Sequence, residues 1–189
     1  MEPDALEAVV EQKTPIAPTF TFQANLIDYG HFIGASDYIK DLFRREIIDS
    51  SEMLRKAYDQ GVPILCGTES GFSVTPYGQW HYREMEILMK EMGFTALEAI
   101  KSSTSVNAYA MRLEGEIGRV EEGAFADLII VSADPIKDIT SLGDQENIKM
   151  VMKSGEIQEF EEEKDRVPIS GWRVVNYGQI LTKDLVNKK

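Results

Sequence analysis

Cysteine and histidine are scarce in this sequence: Cys66 is the single cysteine, and His31 and His81 are the two histidines among 189 residues. A lone cysteine makes no internal disulfide. A zinc site draws three or four ligands from His, Cys and carboxylate side chains, so a complete metal centre built from these residues alone is not expected. No apolar run approaches the roughly 18 residues of a membrane-spanning helix. Met1-Glu2-Pro3-Asp4 has no signal-peptide character, which makes the cytoplasm the expected compartment. Positive charge is also short. Twenty Lys and Arg against 32 Asp and Glu leave a net charge of -12, a field that repels phosphate backbones and anionic membrane surfaces. Neither nucleic acid nor a membrane is an expected partner.

What is present is an ordinary globular composition, 43% hydrophobic and 28% charged, with no repeat and no low-complexity tract. Apolar residues at 5, 6, 9 and 10 behind Pro3 and Asp4 predict an amphipathic helix over residues 2–12. Residues 15–22 are apolar and β-branched but hold Pro15 and Pro18, as in a strand with restricted hydrogen bonding. Residues 23–49 contain Gly30, Gly34 and several aromatics and predict a long loop with a short helix near 36–43. Met53, Leu54, Ala57 and Tyr58 then share a helical face over residues 50–60, and Gly61 stops that helix before a strand at 62–66. Such helix-to-strand units define alternating α/β architecture, in which functional residues collect at the C-terminal ends of strands. Gly67-Thr68-Glu69-Ser70-Gly71 sits at such an end.

Helices are predicted over residues 79–92 and 95–103, the second with Thr95 as N-cap and Glu98 three residues on, followed by a further turn to Met111. Beyond Leu113 the pattern changes to turns at 115–123, a strand at 126–131 and a hairpin at 150–157 around Ser154-Gly155, which together make a small β unit. The acidic run Glu159 to Glu163, broken by Phe160, and residues 167–185 read as a solvated, partly mobile tail.

Other groups have plain readings. Cys66 is a small packed hydrophobe, and Met85, Leu88, Met89 and Met92 follow core-facing helical spacing. Gly115, Gly118 and Gly123 lie in a hairpin-like context, not the strand-to-helix context of a phosphate loop. Ser70 or Ser73 with His81 and Glu84 lacks a nucleophile-elbow pattern.

Four blocks taken together resemble the C-terminal part of a metal-dependent amidohydrolase of the imidazolonepropionase-like and prolidase-like branch. They are Gly61-Val62-Pro63-Ile64-Leu65-Cys66-Gly67-Thr68-Glu69, then Gly93-Phe94-Thr95-Ala96-Leu97-Glu98-Ala99-Ile100 leading to Ser103-Thr104-Ser105-Val106-Asn107-Ala108, then residues 115–123, and finally Ala126-Asp127-Leu128-Ile129-Ile130-Val131 with Asp134-Pro135. The resemblance covers residues 1–157. It implies an α/β chain carrying the C-terminal part of a (β/α)8 TIM barrel over residues 1–112, part of a small β-sandwich over 113–157, and an acidic extension over 158–189. Residues 15–21 would be the seventh barrel strand and 62–69 the eighth.

By the same resemblance, the family's metal site takes a His-x-His pair from the first strand, a lysine or glutamate from the fourth, histidines from the fifth and sixth, and an aspartate from the eighth. The eighth-strand position is present here, with Glu69 in place of the usual aspartate. Glu69 is thereby the candidate catalytic residue and metal ligand, which would hold a divalent metal such as zinc and accept a proton from metal-bound water attacking an amide. The extra methylene moves the carboxylate by about 1.5 Å, and misplacement on that scale costs about 100-fold in rate. His31, on the segment after the expected seventh strand, is the candidate substrate-facing residue.

A single ligand binds no metal tightly, so this chain alone is expected to be inactive and metal-free. The expected function is that of a C-terminal fragment or subunit of an enzyme hydrolysing amide or cyclic amide bonds in a small molecule. The missing barrel half, or a further copy of the chain, would cover its open strand edges. The alternatives are one subunit of a split enzyme and a non-catalytic binding or scaffold module.

Overall fold

The computed structural model describes residues 3–159 and 181–187. Helix α1, Pro3–Gln12, leads into an extended segment from which α2, Thr21–Tyr29, starts. A 3-10 turn, Gly30–Ile33, ends at Gly34 with φ +79°, a left-handed stop that glycine adopts without strain. Helix α3, Asp37–Asp59, follows.

This is the main departure from the sequence reading, because α2 and α3 occupy nearly all of the expected loop at 23–49. The physical reason lies in α3 itself. Ser36 caps it by accepting the N–H of Ile39, and no glycine or proline interrupts the next 23 residues. Buried Ile47, Ser51, Leu54 and Ala57 recur at helical spacing. Pairs Lys40–Asp37, Arg44–Asp41, Lys56–Glu52 and Arg55–Asp59 link successive turns of its solvent side.

The expected strand at 15–22 is also corrected, since Thr21 and Phe22 belong to α2. What remains of the two expected barrel strands is one parallel bridge, Ile16 with Ile64. The Ile16 N–H donates to Pro63 C=O at 3.0 Å, and the Leu65 N–H donates to Ile16 C=O at 2.8 Å. Pro15, Pro18 and Pro63 carry no N–H, so the ladder cannot extend along either segment.

Helix α4, His81–Met92, is closed by Gly93 in the left-handed region at φ +67°. Helix α5, Ala96–Ser103, opens with the expected capping box: the Thr95 hydroxyl accepts the Glu98 N–H, and the Glu98 carboxylate accepts the Thr95 N–H. Helix α6 is Ser105–Ala110. One core joins Phe20, Ile47, Leu54, Val62, Ile64, Leu88 and Phe94, so α2, α3 and α4 pack around the bridged segments.

Strands β1, Leu128–Val131, β2, Ile148–Lys153, and β3, Glu156–Ile157, form an antiparallel sheet in the order β1-β2-β3. Ser154 (φ +51°) and Gly155 (φ +83°) turn the hairpin with two positive φ values, the hand that matches strand twist. Ile129 and Ile130 are exposed, at 63% and 48% of their surface. Helix α7, Lys183–Asn187, ends the described chain. The expected solvated tail is therefore wrong at its end, where Leu181 is fully buried against Leu26, Val74 and Trp80. The rest of that expectation, together with the acidic run from residue 160, lies outside the described residues.

Candidate active-site region

The segment 62–66 delivers the chain to Gly67-Thr68-Glu69-Ser70-Gly71, and its end is held by the Asn107 side chain together with Ser102 C=O, which accepts the Cys66 N–H at 3.3 Å. The Asn107 amide on α6 donates to Cys66 C=O at 2.9 Å and accepts the Cys66 N–H at 3.3 Å. With Ser102 it thus substitutes for a neighbouring strand. The pKa of the Cys66 thiol is pushed up to about 12, by burial first and then by the negative charge of Glu84.

Glu69 is exposed and sits at φ +49°. A left-handed conformation costs a residue with a Cβ about 1 kcal/mol, so the loop must hold it there. It does so at several points. The Thr75 hydroxyl donates to Glu69 C=O at 3.0 Å, Gly71 N–H donates to Thr75 C=O at 2.9 Å, and Thr75 N–H donates to Phe72 C=O at 3.1 Å. The hydroxyls of Thr68 and Ser70 share a hydrogen bond of 2.7 Å. Asn25 on α2 donates to Val74 C=O at 2.8 Å, anchoring the loop beside the segment that follows Ile16.

Glu84 on α4, which the sequence offers only as part of an unsupported Ser-His-Glu set, has a buried capping role that sequence reasoning missed. Its carboxylate accepts the Phe20 N–H at 2.9 Å, the Thr21 N–H at 2.7 Å and the Thr21 hydroxyl at 2.6 Å. It therefore caps α2 from a different helix and fixes where the chain turns after Pro18. Burial raises its pKa to about 7, outweighing the hydrogen bonds from Thr21 and Phe20 that favour the charged form. A carboxylate four residues into an apolar-faced helix was the available signal. Both oxygens are engaged by Phe20 and Thr21, so no Ser-His-Glu set is built with His81. Burial, followed by the nearby Lys183 charge, lowers the pKa of His81.

His31 is exposed on the 3-10 turn, its ring 4.1 Å from that of Phe32. Neither His31 nor Glu69 lines either of two concavities, of about 290 and 430 Å³, among the described residues. The first lies between α2, α3 and α4, around Asp28, Arg44 and Arg83. The second lies at the start of segment 62–66, beside α5 and α6. Among the described residues, no three His, Cys, Asp or Glu side chains converge as a metal site. Glu69 by itself does not make up the three or four donors of a metal site.

Residues 24–158 match the amidohydrolase family. The chain belongs to that family. No functionally curated protein is significantly similar to it. Among solved structures, this amidohydrolase chain is similar to a Xaa-Pro dipeptidase with methionine bound in its active site, at 32% identity and a TM-score of 0.66, over 85% of this chain and 38% of that one. It is similar to an amidohydrolase at 26% identity and a TM-score of 0.67, over 86% of this chain and 38% of that one. A third is a putative prolidase from Bifidobacterium longum, at 22% identity and a TM-score of 0.65, over 91% and 38% of the two chains. The amidohydrolase chain thus spans about 38% of the length of these structures. Its α2 to α6 region, with the parallel Ile16–Ile64 bridge, is part of a TIM-barrel-type fold.

Proposed function

We propose that the chain is the C-terminal part of a metal-dependent amidohydrolase that hydrolyses amide or cyclic amide C–N bonds of a small molecule, and that it is inactive alone. The observation that carries this reading is the placement of Glu69. It ends the segment bridged in parallel to Ile16, in a strained backbone held by Thr75, within a chain of the amidohydrolase family. In this reading Glu69 accepts a proton from the attacking water and returns it to the leaving nitrogen. His31 faces the substrate from the turn after α2. The histidines that would hold zinc, together with the other barrel strands, come from the remainder of the enzyme, encoded upstream or as a separate subunit. The division 1–112, 113–157 and 158–189 belongs to the same proposal. Further β-sandwich strands would cover Ile129 and Ile130, which are open here. The cytoplasm is its proposed compartment.

A second reading, a non-catalytic binding or scaffold module, draws on the lack of a three-donor cluster among the described residues. Hydrolysis of a panel of amides and Xaa-Pro dipeptides by the assembled enzyme separates the two. Glu69→Ala is expected to lower the rate by about 100-fold or more, and Glu69→Asp to retain activity. Unchanged activity in Glu69→Ala overturns the assignment of the site.

A further inference from the structure

Residues 181–187 lie against the loop that follows Glu69. The Leu181 side chain fills a buried cluster with Leu26, Val74 and Trp80. Its N–H donates to Ser73 C=O at 2.7 Å, and its own C=O accepts the Trp80 indole N–H at 3.1 Å. Two residues on, the Lys183 N–H donates to the Gln79 side-chain oxygen at 2.8 Å. The Lys183 ammonium lies 4.4 Å from the centroid of the Tyr82 ring and bonds Gly143 C=O. The Thr182 hydroxyl accepts the Leu185 N–H at 3.2 Å, which starts α7 directly after these contacts. One short segment therefore holds both ends of residues 73–80 and joins them to the turn at Ile139–Gly143.

Within the stretch from Glu69 to Trp80, Gly71, Phe72 and Thr75 bond one another and the Thr75 hydroxyl donates to Glu69 C=O, while from outside Asn25 holds Val74 and Leu181 holds Ser73 and Trp80. A loop without a regular ladder takes its conformation from such outside partners. We propose that residues 181–187 are a positioning strap: their grip on Ser73, Gln79 and Trp80 sets the conformation of the 69–80 loop, and with it the orientation of Glu69. The bearing on chemistry rests on the reading of Glu69 as the site carboxylate, whereas the grip on the loop does not.

The test uses the full chain carrying Trp172→Phe, which leaves Trp80 as its only tryptophan. Truncation after Ile180, and separately Leu181→Ala, are compared by Trp80 emission and by residue-resolved amide hydrogen exchange. The strap predicts red-shifted emission and exchange at Gly71 and Thr75 faster by about tenfold or more, with Leu88 and Ala57 in the helices unchanged. Leu181→Met is expected to restore both readouts. If the truncated chain does not fold, Leu181→Ala is judged by the same criteria. Unchanged exchange at Gly71 and Thr75 overturns the proposal. Equal acceleration at Leu88 and Ala57 also overturns it, because the segment would then support the whole fold and not this loop. Neither readout depends on activity, so the result stands apart from any failure of the Glu69 assignment.

Discussion

Glu84 caps α2 from α4, its fully buried carboxylate accepting the backbone N–H of Thr21 at 2.7 Å. The cost of burying this group shapes how stability responds to pH. An unfolded glutamate titrates near 4.5, while the folded group titrates near 7. Between those values the native state holds the extra proton, so the contribution of Glu84 to stability falls as pH rises. The loss is on the order of 3 kcal/mol by pH 8. Urea denaturation at pH 5 and pH 8 measures it. The difference between the two pH values is expected to shrink in Glu84→Gln; an identical difference in the variant would contradict the assignment.

Removing the carboxylate altogether has another consequence. Glu84→Ala leaves the N–H groups of Phe20 and Thr21 and the Thr21 hydroxyl buried without their acceptor, a loss of about 3 kcal/mol. The midpoint of denaturation at constant pH checks this, and a shift no larger than that of an exposed Glu→Ala control would contradict it.

Asn107 should matter through Cys66. Because its amide donates to Cys66 C=O and shares the Cys66 N–H with Ser102 C=O, Asn107→Ala is expected to cost about 1–2 kcal/mol. Amide exchange at Cys66 should rise in the same variant. A neutral result by both measures would show that another group takes over the Cys66 backbone.

The Cys66 thiol, with its pKa pushed up to about 12, carries almost no thiolate at pH 8. Disulfide-exchange reagents at that pH are expected to label the folded protein at least about tenfold more slowly than the urea-unfolded chain. Equal rates would mean that Cys66 is exposed to solvent in the native state.

Local chemistry was legible wherever the deciding partners are close in sequence. The Thr95–Glu98 box and the Ser154-Gly155 turn are written within four residues and form as expected. Helix α3 exceeds its expected length: Gly30 and Gly34 suggest a loop, while the uninterrupted capped run from Ser36 carries the stronger signal. The start of α2 could not be read at all. Its cap, Glu84, lies 63 residues from Thr21, and only tertiary packing joins them. Resemblance to the family offers Glu69 as a candidate, but its left-handed backbone and the contacts of Thr75 and Leu181 with its loop depend on packing that no local pattern encodes. The strand at 62–66 was legible as an apolar run. It is reduced to a bridge by the prolines that face it and by the single neighbour at Ile16.

In the proposed reading, this amidohydrolase chain works only together with the remainder of a barrel. Intact mass spectrometry of the protein isolated from its native source, under conditions that preserve complexes, tests this most directly. The expected result is a longer chain, or a stable complex with a partner bearing the missing histidines. A lone 21.3 kDa species without such a partner would contradict the hydrolase reading and favour a non-catalytic binding module.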